Sequence, residues 1–122
     1  VPFQMSGTRF RRCPPVPTAT RFAELNLRTY VTAAGRPGVW FFSLDAHSAL
    51  AVEGARRGFG LPYFRARMQV EVERQHVRYR SERTDRRAPP AVFRGSWRPS
   101  AHFRPALAGS LEHFLVERYC LY

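Results

Sequence analysis

Residues Ala23 to Thr32 alternate between apolar and polar side chains, and this alternation constrains the fold more than any other feature of the sequence. One side carries Leu25, Leu27, Thr29 and Val31, and the other carries Glu24, Asn26, Arg28 and Tyr30. A period of two is typical of a β-strand with one apolar and one polar face. Because turn-forming residues 34–38 and the apolar run Val39–Leu44 follow directly, the pattern predicts an antiparallel hairpin.

The hydrophobic period changes at Asp45, where a helix is predicted to begin and to run to about Gly60. Asp45 or Ser48 could cap its first turn, because either side-chain oxygen can accept a hydrogen bond from a free N–H there. The helical face is formed by Ala51, Ala55 and Phe59. We expect these residues to let the helix lie close against the sheet.

The rest of the chain continues the strand pattern and ends in a second short helix. Strands are predicted at 63–74, 77–82 and 91–97, with a hairpin turn at Gln75-His76, and Ser110 is expected to cap the last helix. No internal repeat or domain boundary is evident, so residues 1–122 are interpreted as one domain. The predicted fold class is α+β, a mostly antiparallel bent sheet or β-barrel with short helices.

The composition limits the partners that this chain could have. All 20 basic residues are arginines, against 9 acidic residues, which gives a formal net charge of +11. The arginines are spread over strands and turns, so a solvated surface is favoured over nucleic-acid binding. No apolar run approaches the ~20 residues that cross a bilayer. We expect a cytoplasmic protein with Cys13 and Cys120 reduced, a single disulfide being the alternative, and predict no metal site or cofactor; a homo-oligomer is compatible with the sequence.

The polar side of the first predicted strand has two interpretations. Glu24, Asn26, Arg28 and Tyr30 could form the solvent-facing side of an antiparallel sheet. Alternatively, they could point into a barrel or cleft, where Arg28 would bind a ligand carboxylate through two parallel hydrogen bonds. Periodicity alone leaves both interpretations open.

Short strings along the chain resemble a known superfamily. Phe22–Val31, Phe42–Asp45, the alanine-rich helix and Gly60–Tyr63 resemble the middle of the acetoacetate decarboxylase family. Further strings resemble the bacterial DUF2071 (YqjF-like) family of that superfamily, namely Pro2-Phe3-x-Met5, Glu24-Leu25-Asn26-x-Arg28-Thr29-Tyr30-Val31, Leu61-Pro62-Tyr63 and Phe114-Leu115-x-Glu117-Arg118-Tyr119. Members of that family are longer, so the resemblance implies an acetoacetate decarboxylase-like domain of which residues 1–122 are an incomplete middle section.

The resemblance also implies a site, with departures from the family pattern, one of which is Arg57 in place of the glutamate of a Gly-Arg-Glu motif. Arg56 matches the arginine of a Gly-Arg-Glu motif, whereas Tyr63 and Phe64 stand where the decarboxylase has two lysines. Tyrosine cannot form the Schiff base on which that decarboxylation depends, and the chain contains no lysine. Inherited decarboxylase activity is therefore not expected.

What the resemblance leaves is a pocket for a small anionic or carbonyl-bearing organic ligand. We expect Glu24, Arg28 and Tyr63 to line one cavity, with Asn26 beside them and Arg56 at its rim. Tyr63 would be a hydrogen-bond donor or acid and Glu24 an acid/base, while Arg28 or Arg56 would hold an anion. The alternatives are a non-catalytic assembly module and, third in order, a nucleic-acid binder that uses the arginine surface.

Overall fold

The computed structural model describes residues 1–6, 21–99, 104–118 and 120–122. Its elements are β1 (Pro2–Ser6), β2 (Arg21–Ala33), β3 (Arg36–Ala46), α1 (Ala49–Phe59), β4 (Tyr63–Glu73), β5 (His76–Arg83), β6 (Val92–Trp97), α2 (Leu111–Val116) and β7 (Cys120–Leu121). The proline-rich segment around Cys13, and with it any disulfide of that cysteine, lies outside the described residues.

The strands form one sheet in the order β1-β2-β3-β4-β5-β6, and β7 pairs with β3. The β2–β3 hairpin confirms the antiparallel pair predicted from the alternation. Its turn is only the dipeptide Ala34-Gly35, whose φ angles of 48° and 75° are both positive. Two positive φ angles are typical of the tight hairpin turns whose twist matches that of the flanking strands.

Helix α1 connects β3 to β4 and makes that pair parallel. Its N-cap is Ser48, which accepts a hydrogen bond from the backbone N–H of Ala51 at 3.2 Å, and Gly60 ends the helix with a φ of 65°. The alternative cap, Asp45, instead pairs with Arg83 of β5. A capping rule considers only neighbouring residues, so it could not predict that Asp45 pairs with Arg83.

The residue that packs α1 onto the sheet is Val52, which is buried together with Phe22 and Ala46. The predicted packing face is correct at Ala51, which contacts this cluster, and wrong at Phe59, which is 72% exposed. The last turn of α1 therefore stands away from the sheet and leaves a space beneath it.

The second half of the sheet bends back over the other face of β2. The β4–β5 turn is Arg74-Gln75, one residue before the predicted position. A second apolar cluster of Ala66, Met68 and Tyr79 packs against Leu25 and Phe93, among others. The β2–β3 hairpin consequently has α1 on one face and the bent sheet on the other, while β1 is the neighbour of β2 within the sheet.

The observed fold is α+β with a mostly antiparallel sheet, as predicted. Over the residues that the structure describes, the sheet is open, with β1 and β6 at its two ends. Ser110 caps the short helix α2 by accepting from the backbone N–H of His113 at 3.1 Å, also as predicted. Within the described ranges, neither helix has the length and apolar character to span a membrane.

Candidate functional site

The polar side of β2 faces the interior of the protein. Glu24 is 2% exposed and Asn26 is 4% exposed, whereas Leu27 on the opposite face is 63% exposed. The alternation is therefore correct, and the solvent-facing interpretation is wrong for the first half of the strand. Helix α1 covers this face through Val52, which packs against Phe22 beside Glu24. Met5 of the neighbouring strand β1 packs against the same cluster.

The buried carboxylate of Glu24 is paired with the hydroxyl of Tyr63. The Tyr63 hydroxyl donates to Glu24 Oε2 at 2.8 Å. Strand register explains this contact. Asn26 pairs with Leu44 and Leu44 pairs with Tyr63, so these residues share one face of the sheet, and Glu24 lies on the same face two residues before Asn26. The two residues that the sequence proposed as acid/base and donor are thus in direct contact.

Burial controls the protonation of this pair. Desolvation raises the pKa of Glu24 to about 7, although hydrogen bonds from Tyr63 and Asn26 partly oppose the shift. The pKa of Tyr63 is raised as well, first by desolvation and then by the neighbouring carboxylate, so the phenol keeps its proton at neutral pH. Glu24 can therefore change its charge near neutrality while Tyr63 remains a neutral hydroxyl.

Asn26 contributes one hydrogen bond to Glu24 through its side chain. Its Oδ1 atom is buried and has no hydrogen-bond partner among the described residues. A buried acceptor without a partner is costly, by roughly 1–3 kcal/mol. The site thus contains a buried acceptor that can take a further hydrogen bond, two residues from Glu24 on the same face of β2.

A second tyrosine, which the sequence did not single out, fixes the backbone of Glu24. Tyr79 reaches across from β5 and donates to the Glu24 carbonyl oxygen at 2.9 Å. Tyr79 is 3% exposed and lies on the opposite side of β2 from Tyr63. The only signal in the sequence was its inward position in the alternation of β5, between Val77 and Ser81.

An apolar cavity of about 660 Å³ lies beside Tyr63, between α1, β3 and the last residues of the chain. Its walls include Met5, Phe22, Trp40, Phe41, Ala51, Ala55, Phe59, Leu61, Pro62, Tyr63, Leu121 and Tyr122. Tyr63 thus both lines this cavity and bonds Glu24, which is not among the lining residues and sits behind the tyrosine. The volume is within the range of about 300–1,000 Å³ that is usual for small-molecule sites.

Arg28 lies apart from the Glu24–Tyr63 pair. Its Nη2 donates to the Tyr30 hydroxyl at 3.4 Å, and the Tyr30 hydroxyl donates to the Leu115 carbonyl at 3.3 Å. A bulge in β3 between the partners of Leu27 and Arg28 breaks the register at this point. Arg28 therefore helps to dock α2 and does not line the cavity, in contrast to the expectation.

Arg56 joins the end of α1 to the start of β4. Its Nη1 donates to the Tyr63 carbonyl at 2.9 Å, and its guanidinium lies 5.5 Å from the centre of the Phe64 ring. Arg56 thus bonds the backbone of Tyr63 but is not among the residues that line the cavity. Arg56 therefore links the last turn of α1 to the first two residues of β4.

Together these features define a sheet-dominated α+β domain with an apolar cavity next to a buried, hydrogen-bonded carboxylate. The model of the DUF2071 family, described as an uncharacterized conserved protein, matches residues 1–122, and the chain belongs to this family. This finding confirms the resemblance to the DUF2071 family seen in the sequence.

Among curated proteins, the chain is similar to the uncharacterized protein YqjF of Bacillus subtilis (strain 168). The two are 46% identical over 122 residues, which are 100% of this chain and 50% of that protein. The chain thus spans half the length of this relative. No solved structure matches this chain significantly.

Proposed function

We propose that this domain binds a small, mostly apolar organic compound that carries a carbonyl group, in the cavity beside Tyr63. The observation that carries the proposal is the double position of Tyr63, whose side chain lines the apolar cavity and whose hydroxyl bonds the buried Glu24. A few polar groups in an otherwise apolar lining are a common arrangement for fixing the orientation of a ligand.

The lining favours a carbonyl group over an anion. The cavity residues that the structure describes are aromatic, aliphatic or glycine, and neither Arg28 nor Arg56 is among them. An anionic ligand would lie close to Glu24 without a compensating cation, which is costly in an apolar site. A neutral ketone, aldehyde or ester avoids this cost and can accept a hydrogen bond from Tyr63.

The protonation state of Glu24 decides what Tyr63 can offer to the ligand. When Glu24 is ionised, the Tyr63 proton is used in the bond to Oε2. When Glu24 is protonated, its own O–H can donate to the Tyr63 oxygen, which frees the phenol proton for a ligand carbonyl. Since burial raises the pKa of Glu24 to about 7, carbonyl binding should tighten as pH falls through neutrality.

The hydrogen bond between Tyr63 and Glu24 also supports a reaction in which Tyr63 acts as the acid and Glu24 as the acid/base at a carbonyl compound. The chain has no lysine, so such an activity does not pass through a Schiff base. Membership of the acetoacetate decarboxylase-like superfamily is part of this proposal. It rests on the Gly60-x-Pro62 string followed by Tyr63 at the start of a strand after an alanine-rich helix.

The test compares acetophenone with ethylbenzene, which has nearly the same shape but no carbonyl oxygen. Calorimetric titrations at pH 6 and pH 8 should show acetophenone binding more tightly at pH 6 and ethylbenzene binding equally at both. Tyr63→Phe should weaken acetophenone binding at pH 6 by about tenfold, the equivalent of one hydrogen bond, and leave ethylbenzene unchanged.

Glu24→Gln is the matched control for the protonation step. A glutamine amide can donate to the Tyr63 oxygen at every pH, so this variant should bind acetophenone at pH 8 as tightly as the natural protein does at pH 6. Equal binding of acetophenone by the natural protein and Tyr63→Phe at pH 6 would refute the proposed role of the hydroxyl.

An assembly module is the second candidate, because several large apolar side chains near the hairpin are exposed. Leu27 is 63% exposed and Phe42 is 58% exposed. Nucleic-acid binding is less well supported, since arginines on the outer face of β5 pair with glutamates, Arg78 with Glu71 at 4.0 Å and Arg80 with Glu82 at 3.9 Å. Self-association in sedimentation experiments without binding of either probe would favour the assembly module.

A further inference from the structure

A second cavity lies on the opposite face of the β2–β3 hairpin, inside the bend of the sheet. Its volume is about 460 Å³, and Leu25, Leu27, Asp45, Arg83, Val92 and Phe93 are among the residues that line it. The side chains of Asp45 and Arg83 are 5% and 9% exposed. The floor of this cavity, whose walls combine apolar residues with Asn26 and Ser43, is therefore a buried ion pair.

The guanidinium of Arg83 is held in place from three directions. Its Nε donates to Asp45 Oδ1 at 2.8 Å, and its Nη1 donates to the Pro89 carbonyl at 3.2 Å. The ring of Phe64 lies beneath it, with 4.7 Å between the guanidinium carbon and the ring centre. An arginine fixed in this way has lost its side-chain freedom before any ligand arrives, which lowers the entropic cost of binding.

The ion pair leaves hydrogen-bonding capacity on both partners. Over the described part of the chain, Asp45 Oδ2 and Arg83 Nη2 make no hydrogen bond with the protein. Both residues line the cavity, and neither atom is among the fully buried polar atoms that lack a partner. The floor thus offers one acceptor and one donor in neighbouring positions.

The pair also selects against charged ligands. Asp45 neutralises Arg83, so an added carboxylate or ammonium group would find no free countercharge in this pair, and its desolvation would be costly. A neutral group that presents an acceptor beside a donor satisfies both free atoms at once. Primary carboxamides and the lactam edges of heterocycles have this arrangement.

We infer that the cavity above the Asp45–Arg83 pair is a binding site for a small planar molecule with an amide-type edge, such as an aromatic carboxamide or a lactam ring. The amide carbonyl accepts from Arg83, and the amide N–H donates to Asp45. The ring lies among the apolar walls that include Leu25 and Phe93. This site goes beyond the proposed function, because it uses the other face of the sheet and does not involve Tyr63.

Benzamide, benzoate and ethylbenzene are matched probes for this site, since they share a ring and differ in the polar edge. Calorimetric titration of the natural protein should show benzamide binding at least about tenfold more tightly than either of the others. Amide resonances of Asp45 and Phe93 should shift with benzamide in two-dimensional NMR spectra, whereas that of Ala55 in the first cavity should not.

Ala91→Phe fills this cavity without removing either charge, because Ala91 lines it and is half-buried. The variant should lose the benzamide-induced shifts of Asp45 and Phe93, and Val72→Phe, which adds the same ring at a position 70% exposed, should retain them. Benzoate binding as tight as that of benzamide, unchanged Asp45 and Phe93 shifts in Ala91→Phe, or shifts centred on Ala55 would each overturn the inference. Absence of benzamide binding by the natural protein would overturn it as well.

Discussion

Replacing Glu24 by glutamine should stabilise the protein above neutral pH. Glu24 is 2% exposed, and its pKa is raised from 4.5 to about 7, mainly by desolvation. In the unfolded chain the carboxyl ionises near its usual pKa. A raised pKa in the folded state means that the favourable contribution is complete below pH 4.5 and is lost as pH rises through 7.

The size of the effect follows from the same shift. A difference of about 2.5 pKa units corresponds to a loss of about 3 kcal/mol between pH 4.5 and pH 8. Glutamine has the same shape, carries no charge and can still bond Tyr63. The free energy of unfolding of Glu24→Gln should therefore exceed that of the natural protein by about 3 kcal/mol at pH 8.5, with little difference at pH 4.5.

Urea unfolding followed by tryptophan fluorescence at pH 4.5, 6.5 and 8.5 measures this difference directly. Subtracting the free energies of unfolding of the two proteins at each pH cancels the contributions from titration of the histidines and the other carboxyl groups. Glu71→Gln is the control, because the Glu71 side chain is 69% exposed and should change stability by less than about 0.5 kcal/mol. A constant difference between Glu24→Gln and the natural protein across this range would refute the reasoning.

Three further substitutions test other parts of the structure. Tyr63→Phe removes the hydrogen bond to Glu24 and should lower the free energy of unfolding by about 1 kcal/mol at pH 5 and about 2 kcal/mol at pH 8.5, where the acceptor is charged. Arg83→Met leaves Asp45 buried without its partner and should cost about 3–5 kcal/mol, measured by urea unfolding. Gly60→Ala places a side chain at a φ of 65° and should cost about 1 kcal/mol in the same assay, although the added methyl group meets no atom within 4 Å.

Two of these substitutions have matched controls on neighbouring elements. Arg80→Met removes an arginine whose side chain is 51% exposed and should change the free energy of unfolding by less than about 1 kcal/mol. Gly58→Ala lies inside α1 with open space around it and should be neutral or stabilising by up to about 1 kcal/mol. If Arg80→Met cost as much as Arg83→Met, burial of the Asp45–Arg83 pair would not be the cause.

The hairpin and both helix caps show how far local patterns reach. Alternation in Ala23–Thr32 predicted the strand, and the serines at 48 and 110 cap the two helices. Alternation says which residues share a face but not what covers that face. Burial of Glu24 depends on α1 and β1, which approach it from distant parts of the chain, so the sequence left its environment open.

The candidate site was predictable only in part for a similar reason. Glu24 and Tyr63 could be expected on one face because the order strand, helix, strand returns the chain beside its starting strand. Arg28 lies beyond a bulge, whose position depends on the pairing of two strands, and its nearest acceptor is Tyr30 in its own strand. Asp45 and Arg83 are far apart in sequence, and no spacing rule connects them.

Strand β2 contributes residues to both cavities, Phe22 to the first and Leu25 and Leu27 to the second. Between them, Tyr63 bonds the Glu24 side chain on one face and Tyr79 bonds the Glu24 carbonyl oxygen from the other. The backbone of one residue cannot move toward a ligand on one side without receding from the other. Any such movement makes the occupancy of the two cavities interdependent, and thermodynamics requires the effect to be equal in both directions. A substitution that loosens the Tyr79 bond would therefore shift the β2 backbone between the two cavities and, with it, the carboxylate behind Tyr63.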